Sequence, residues 1–381
     1  MLSETPVLRV KGTEANALLG QSSQKTERRG FGALFYYREN SEEFMFDFKV
    51  LSAEDVAGLL DMRSVIASNE AVYRQRAEGD TSTWPTVFNI FEEGAADLDI
   101  KSGWLKGAGV FGHKTVGWYG RNAQKGLPAL VGLICVYDVE TGAPLGVLDG
   151  TYITGIRTGA AGGIGAKLLA RPDSRTLLVV GAGGQCAFQT AAVLELMEHV
   201  DRVIVANPHR PEAAVAKAAS LPAEVAARGV RTEGVSFEAA DDLEAACGAA
   251  DIIVTCTMSR APMIERSWVR PGTHLSCIGA DMEGKIEIDP QIIADALLFV
   301  DDTAHCIEAG EIEVGIKQGA FGADHIAGEI GELLEGSKQG RTSDDQITVF
   351  DATGMALLDI ACAKTALDLA SGTSTGVDAR I

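Results

Sequence analysis

Residues 175–189 read RTLLVVGAGGQCAFQ. Thr176 to Val180 form a short apolar run that suits a strand buried on both faces. Gly181, Ala182, Gly183 and Gly184 follow as a tight turn, and Gln185 opens an apolar-striped helix through about Val200. Strand, glycine turn and helix in that order make the first unit of a dinucleotide-binding fold. The first glycine permits the sharp turn, and the next lets backbone N–H groups approach a pyrophosphate. The helix N-terminus adds partial positive charge for the same anion. The motif is G-x-G-x-x-C, with Cys186 where the usual fingerprint has a third Gly or Ala. Gly181, Gly183, Gly184 and Gln185 are the primary candidates for cofactor contact.

Downstream, the chain alternates strands and helices. Strands are expected at Arg202–Ala206, near Gly229–Ser236, and at Asp251–Thr257, Thr273–Gly279 and Ala296–Asp301. Helices are expected over Pro211–Ala219 and Asp241–Cys247. That spacing is the pattern of a doubly wound parallel sheet. Upstream, Ser52 followed by Glu54 and Asp55 reads as a helix cap, with a second helix from about Arg63 to Ala77. Residues 84–150 break into short strand-like runs joined by turns, the pattern of a mostly antiparallel sheet. Thr151–Leu169 reads as a helix leading to a boundary at Arg171-Pro172-Asp173. The resulting division is an N-terminal extension (1–47), the first part of a substrate and dimerisation domain (48–170), a Rossmann-type domain (171–335) and a C-terminal return (336–381). The extension is either an arm packed on a neighbouring subunit or a partly ordered leader.

Composition narrows the function. The chain has 381 residues, is 46% hydrophobic and 23% charged, and carries a formal net charge of −20. Such a charge repels phosphate backbones and anionic lipid, which argues against nucleic acid and membrane partners. The seven cysteines are scattered singly, without C-x-x-C pairs or clustered histidines. That usage points to reduced thiols in the cytoplasm and against a metal site.

Three side chains stand out as candidates for chemistry. Asp281 follows an apolar strand at its C-terminal end, where open α/β sheets place ligands; it is either an acid/base or a turn carboxylate capping the next helix. Arg157 sits inside an Ala-rich helix start, where a guanidinium is costly unless an anion meets it. The alternative is a helix-end salt bridge. Lys114 lies in a strand-like stretch and is either a ligand for an anion or a solvent-facing strand lysine. His274 precedes a strand core and His305 lies beyond the next strand, so neither competes with Asp281.

Several stretches in order resemble the ornithine cyclodeaminase/mu-crystallin family over roughly residues 48–370. They are LDGTYITGIRTGAAGG (148–163), VVGAGGQ (179–185), IGADMEGKIEI (278–288) and ITVFDATGMALLDIACA (347–363), together with the spacing from Lys114 to Gly126-Leu127-Pro128. The resemblance implies a Rossmann domain inserted in an α+β substrate and dimerisation domain, and a homodimer. It implies NAD(P)-dependent hydride transfer at the C–N carbon of a small amino or imino acid, by an imino acid reductase or an amino acid dehydrogenase. The rivals are a cyclodeaminase that recycles bound NAD and a non-enzymatic, mu-crystallin-like ligand-binding protein. Residue by residue, Lys114 and Arg157 match positions that hold the substrate carboxylate, Asp281 the general acid/base, and Lys285 the lysine after it, which either tunes the charge of Asp281 or binds the substrate as a third substrate-binding residue. Where many members carry a substrate-binding Arg, this chain has Thr83-Trp84-Pro85-Thr86-Val87, which argues against ornithine itself.

Cofactor choice turns on Ala206-Asn207-Pro208-His209-Arg210. A carboxylate there would bond the ribose 2′-OH of NAD. Asn207 is neutral and Arg210 cationic, which favours NADP over NAD. Thr158, Thr255 and Gly279 complete the candidate cofactor contacts.

Overall fold

The structure is a computed structural model that describes residues 45–381. The N-terminal extension therefore lies outside the described residues, apart from its last three. The chain begins with β1 (Asp47–Leu51), then α1 (Ala53–Leu59) and α2 (Met62–Ala77). The cap read from sequence forms as a reciprocal pair: Asp55 N–H donates to Ser52 Oγ at 3.2 Å, and Ser52 N–H to Asp55 Oδ2 at 2.9 Å. This satisfies N–H groups that the first turn of α1 leaves without helical partners.

Strands β2 (Thr81–Glu92), β3 (Ala96–Leu105), β4 (Val110–Tyr119), β5 (Leu130–Asp138) and β6 (Pro144–Asp149) follow as an antiparallel meander. Burial alternates along β4, so that Lys114 and Val116 face inward while Phe111, His113 and Thr115 face the other way. Helix α3 (Gly150–Leu169) then crosses to the second domain. Its glycines at positions 155, 159 and 163 form one stripe. An added Cβ would meet the Phe188 ring, the Phe188 backbone or Ala192, all on α4 (Gln185–Leu196). The stripe lets the two helices close on each other, so α3 belongs to both halves.

The second sheet is entirely parallel. Its strands are β7 (Thr176–Val180), β8 (Arg202–Ala206), β9 (Ser236–Ala239), β10 (Ile252–Thr255), β12 (His274–Cys277), β14 (Leu297–Val300), β15 (Ile326–Glu329) and β16 (Thr348–Asp351), in the order 15-14-16-12-10-7-8-9. A small parallel pair, β11 (Arg260–Ile264) and β13 (Ile286–Ile288), lies apart. Strand β9 starts later than expected because Gly229 and Gly234 both have left-handed backbone, which makes that stretch a turn. Sequence order reverses between β7 and β10, the switch point beside which such sheets bind ligands.

One domain boundary is corrected. The return to the first domain was expected from residue 336, yet β16 is an inner strand of the parallel sheet, between β12 and β14. All four of its residues are buried, and only an inner strand of a sheet covered on both faces accepts that. The return starts with the helix Ala356–Ala370, which packs on α2, α3 and strands β3 to β5. It ends with β17 (Val377–Arg380), antiparallel to β1 at the edge of the meander sheet. No helix among the described residues is long and apolar enough to cross a membrane.

Candidate active site

A cavity of about 950 Å³ opens between the inner face of the meander and the C-terminal ends of the parallel strands. Lys114, Arg157, Thr158, Gln185, Gly279, Asp281 and Lys285 all line it. Four stretches of sequence, up to 171 positions apart, thus converge on one space.

The cationic end is built on a carboxylate that the sequence reading did not single out. Asp359, in the first turn of the C-terminal helix, is fully buried. Its Oδ1 accepts from Arg157 Nε at 3.1 Å, and its Oδ2 lies 3.0 Å from Lys114 Nζ. Lys114, 2% exposed, is not the solvent-facing strand lysine of its alternative reading. Arg157, 5% exposed, does make a salt bridge as its alternative reading allowed, but with Asp359 beside the cavity and from the middle of α3. Burial pulls the Lys114 ammonium down to about 8, with Asp359 only partly offsetting it. Asn69 donates from Nδ2 to the Arg157 carbonyl at 2.8 Å and fixes the backbone of that turn. Gly354, at φ +80°, lies against the guanidinium, where any Cβ would collide with it.

Asp281 sits on the loop after β12. Lys285, itself buried, donates from Nζ to its Oδ1 at 2.5 Å. Close quarters in the cleft oppose ionisation, but Lys285 and then Lys101 win, holding the Asp281 carboxyl below the usual carboxylate range. Its side chain is 46% exposed and faces the cavity. This loop is braced from behind by Glu287, whose Oε1 accepts from Thr257 N–H at 2.6 Å and Oε2 from Gly279 N–H at 2.9 Å.

His305 is a correction to the sequence reading. It comes after β14 in the chain, but the parallel sheet aligns all its strand ends, and the ring lines the cavity. Nδ1 lies 2.7 Å from Thr353 Oγ1, and burial lowers the imidazole below its ordinary value, so the ring is neutral near pH 7. Asp301 grips the neighbouring loop, accepting from Gly354 N–H at 2.7 Å and Thr353 N–H at 3.2 Å. His274, by contrast, is sealed in the parallel sheet between Thr348 and Ser276.

The nucleotide end follows from β7. Gly181 has φ +129°, and a Cβ there would come within 2.7 Å of the Cys256 carbonyl. Gly183 and Gly184 face open space, and α4 begins after Gly184 without any side-chain cap. Uncapped N–H groups beside an open glycine turn suit a pyrophosphate. Cys186 is fully buried in the core at the third motif position. Thr255 departs from expectation: it is the buried last residue of β10, paired with Val180 and Cys277, and does not line the cavity. Its neighbours Cys256 and Thr257 do. Asn207 and Arg210 lie beyond β8, away from the cavity lining. Asn207 Oδ1 accepts from the N–H groups of His209 at 3.2 Å and Arg210 at 3.0 Å, shaping that turn.

A parallel sheet with an open glycine turn at its switch point, facing a cavity with buried cations and an ionised carboxylate, defines a nicotinamide-dependent oxidoreductase. The chain belongs to the ornithine cyclodeaminase/mu-crystallin family, whose sequence model matches residues 47–374. Alanine dehydrogenase of Archaeoglobus fulgidus is 37% identical over 327 residues, covering 86% of this chain and 96% of that protein. An archaeal alanine dehydrogenase dimer with bound NAD superposes with a TM-score of 0.79 at 36% identity, covering 87% of this chain and 99% of the other. The Δ1-pyrroline-2-carboxylate reductase of Thermococcus litoralis, in complex with NADH and L-proline, gives 0.81 at 28% identity, covering 87% and 100%.

Proposed function

We propose that this protein reduces a small imino acid, or in reverse oxidises the amino acid, by moving hydride to or from the carbon that bears nitrogen. The observation that carries this reading is the convergence of Lys114 and Arg157, both on Asp359, with the Asp281–Lys285 pair in one cavity. The 181–185 turn with Thr158 and Gly279 would hold a nicotinamide cofactor, which would supply or accept the hydride when bound.

The residues of the chain do the rest. Two buried cations share one aspartate, leaving one unit of positive charge for a substrate carboxylate. The fork of Arg157 orients it, and Asp359 holds that fork in place. Asp281, kept anionic by Lys285, faces the nitrogen and favours the protonated, electrophilic iminium. In the oxidative direction it accepts the nitrogen's proton. Lys285 keeps it charged between turnovers. A binding protein has no use for an ionised carboxylate held by a buried lysine, which weighs against the mu-crystallin-like reading.

At the adenosine end Asn207 offers no carboxylate, and no hydrogen bond or ion pair engages the exposed Arg210 side chain among the described residues. These features support NADP as the preferred form. A homodimer is supported by the outer face of the meander. There Trp84, Val131 and Leu133 are 42%, 49% and 55% exposed beside the stacked Phe111 and Tyr137 rings. So large an apolar patch suits a partner surface. Cytoplasmic residence is supported by seven cysteines that are all free thiols.

The test is cofactor oxidation in a screen of 2-oxo acids with ammonia or amines, together with preformed cyclic imines. Net oxidation that Arg157→Ala abolishes supports a reductase. Ammonia release from a diamino acid without net cofactor change would establish a cyclodeaminase instead.

A further inference from the structure

His305 is the only histidine among the described residues that line the cavity. Its backbone N–H donates to Asp302 Oδ1 at 3.1 Å in the first turn of the helix Thr303–Ala309. Its ring is held by a chain of two buried residues: Nδ1 lies 2.7 Å from Thr353 Oγ1, and that hydroxyl lies 3.2 Å from Asp301 Oδ1. A hydroxyl has one proton to give, and a carboxylate is a stronger acceptor than an imidazole. Thr353 therefore donates to Asp301 and accepts from Nδ1–H, which leaves the lone pair on Nε2. Nε2 has no hydrogen-bond partner among the described residues, yet it is not one of the polar atoms sealed from solvent. Its lone pair opens on the cavity that the ring lines.

Either tautomer would serve packing; the Asp301–Thr353 chain selects the one that can take up a proton in the cavity. The sheet sets the ring opposite Asp281. Strand β14 precedes His305, β12 precedes Asp281, and β16 lies between them. The two loops therefore start roughly 10 Å apart, twice the strand spacing, which leaves room for a small substrate between them. The ring lies within electrostatic reach of both Asp281 and Lys101, which line the same cavity.

We infer that His305 is a further catalytic residue, the base that takes a proton from water as that water adds to the substrate's C=N carbon. The inference rests on the proposed imino acid chemistry and extends it to open-chain imines, made from and hydrolysed to a 2-oxo acid and ammonia. Water oxygen bonds to the iminium carbon, the C=N π pair moves onto nitrogen, and Nε2 takes one water proton. The result is a carbinolamine and an imidazolium, which passes its proton to solvent. Asp281 returns to nitrogen the proton it took from the amine during oxidation. The C–N bond then breaks with its pair going to ammonia, while Nε2 takes the hydroxyl proton as C=O forms. The reverse steps build the imine. A preformed cyclic imine bypasses His305, because no water adds or leaves.

The experiment follows NAD(P)H oxidation by the whole chain with pyruvate plus ammonia and, separately, with Δ1-pyrroline-2-carboxylate. The proteins compared are wild type, His305→Asn, His305→Gln and Asp281→Asn, each with its thermal midpoint and cofactor affinity recorded. Asn keeps an N–H where Nδ1 stands but has no basic nitrogen, and Gln supplies a second non-basic shape should the first not fold. The expected result for His305→Asn is a ~10²–10⁴-fold loss with pyruvate plus ammonia, the range for a general base, against a loss below ~10-fold with the cyclic imine. Asp281→Asn should lose both activities. Equal losses on the two substrates in a folded His305 variant, or no loss on either, would overturn the assignment. So would a wild type that reduces the cyclic imine but never aminates pyruvate, a result that leaves the proposed function standing. A wild type that reduces neither substrate would overturn the proposed function and this inference with it.

Discussion

Raising the pH through 8 should switch off substrate capture, because Lys114 loses its proton there. Burial sets its titration at about 8 against an ordinary 10.5. By simple titration the ammonium is roughly 90% protonated at pH 7 and roughly 10% at pH 9. Binding of a carboxylate to the free holoenzyme should therefore weaken about tenfold over that interval, approaching a decade per pH unit beyond it. Pyruvate is a suitable probe, since its carboxylate does not titrate in this range, and kcat/KM for an accepted imine reports the same group. Lys114→Arg should abolish the limb, because a guanidinium keeps its proton.

Stability should move the opposite way. Between pH 8 and 10.5 the unfolded chain holds a proton that the folded chain has released. Stability therefore rises with pH across that window, by up to roughly 3 kcal/mol from this group alone. Urea unfolding of wild type and Lys114→Met at several pH values isolates the contribution. A binding limb that survives unchanged in Lys114→Arg would refute the reasoning. So would wild-type stability, relative to Lys114→Met, that is flat between pH 8 and 10.

Three further outcomes follow from the same geometry. Asp281→Asn keeps shape and most hydrogen bonds but not the charge. It should bind cofactor normally and lose turnover by ~10²–10⁴-fold, and near-normal imine reduction by a folded variant would reduce Asp281 to a turn residue. Asp359→Ala leaves Lys114 and Arg157 buried without their counter-ion, and should cost about 3–5 kcal/mol in urea unfolding. A loss below ~1 kcal/mol would mean that solvent or a rearranged acid already compensates them. Arg210→Ala should weaken NADPH more than NADH by roughly 1–3 kcal/mol, and equal losses would remove the support for NADP.

Much of the fold was legible because it depends on short-range patterns. The run Thr176–Val180, the glycines at 181, 183 and 184 and the helix from Gln185 are local signals, and each reports a backbone requirement of its own. The reciprocal cap of α1 and the meander strands are read on the same footing. Lys114, Arg157 and Asp281 could be picked out because a charge among apolar residues is conspicuous wherever it folds.

What tertiary structure decided is the partnership between those charges. Asp359 was inside a quoted motif, yet nothing local says that an acid at position 359 meets cations at 114 and 157. Only the packing of the C-terminal helix against β4 and α3 brings them together. His305 was set aside by its distance along the chain, whereas a parallel sheet places the ends of all its strands at one edge, so that sequence separation says nothing about separation in space. Lys101 gave no signal, since a lysine in a strand of alternating polarity reads as solvent-facing until the register shows which face is closed. The return point to the first domain was misplaced for a related reason. A four-residue strand fits either sheet by sequence, and only pairing with both β12 and β14 assigns β16 to the parallel one.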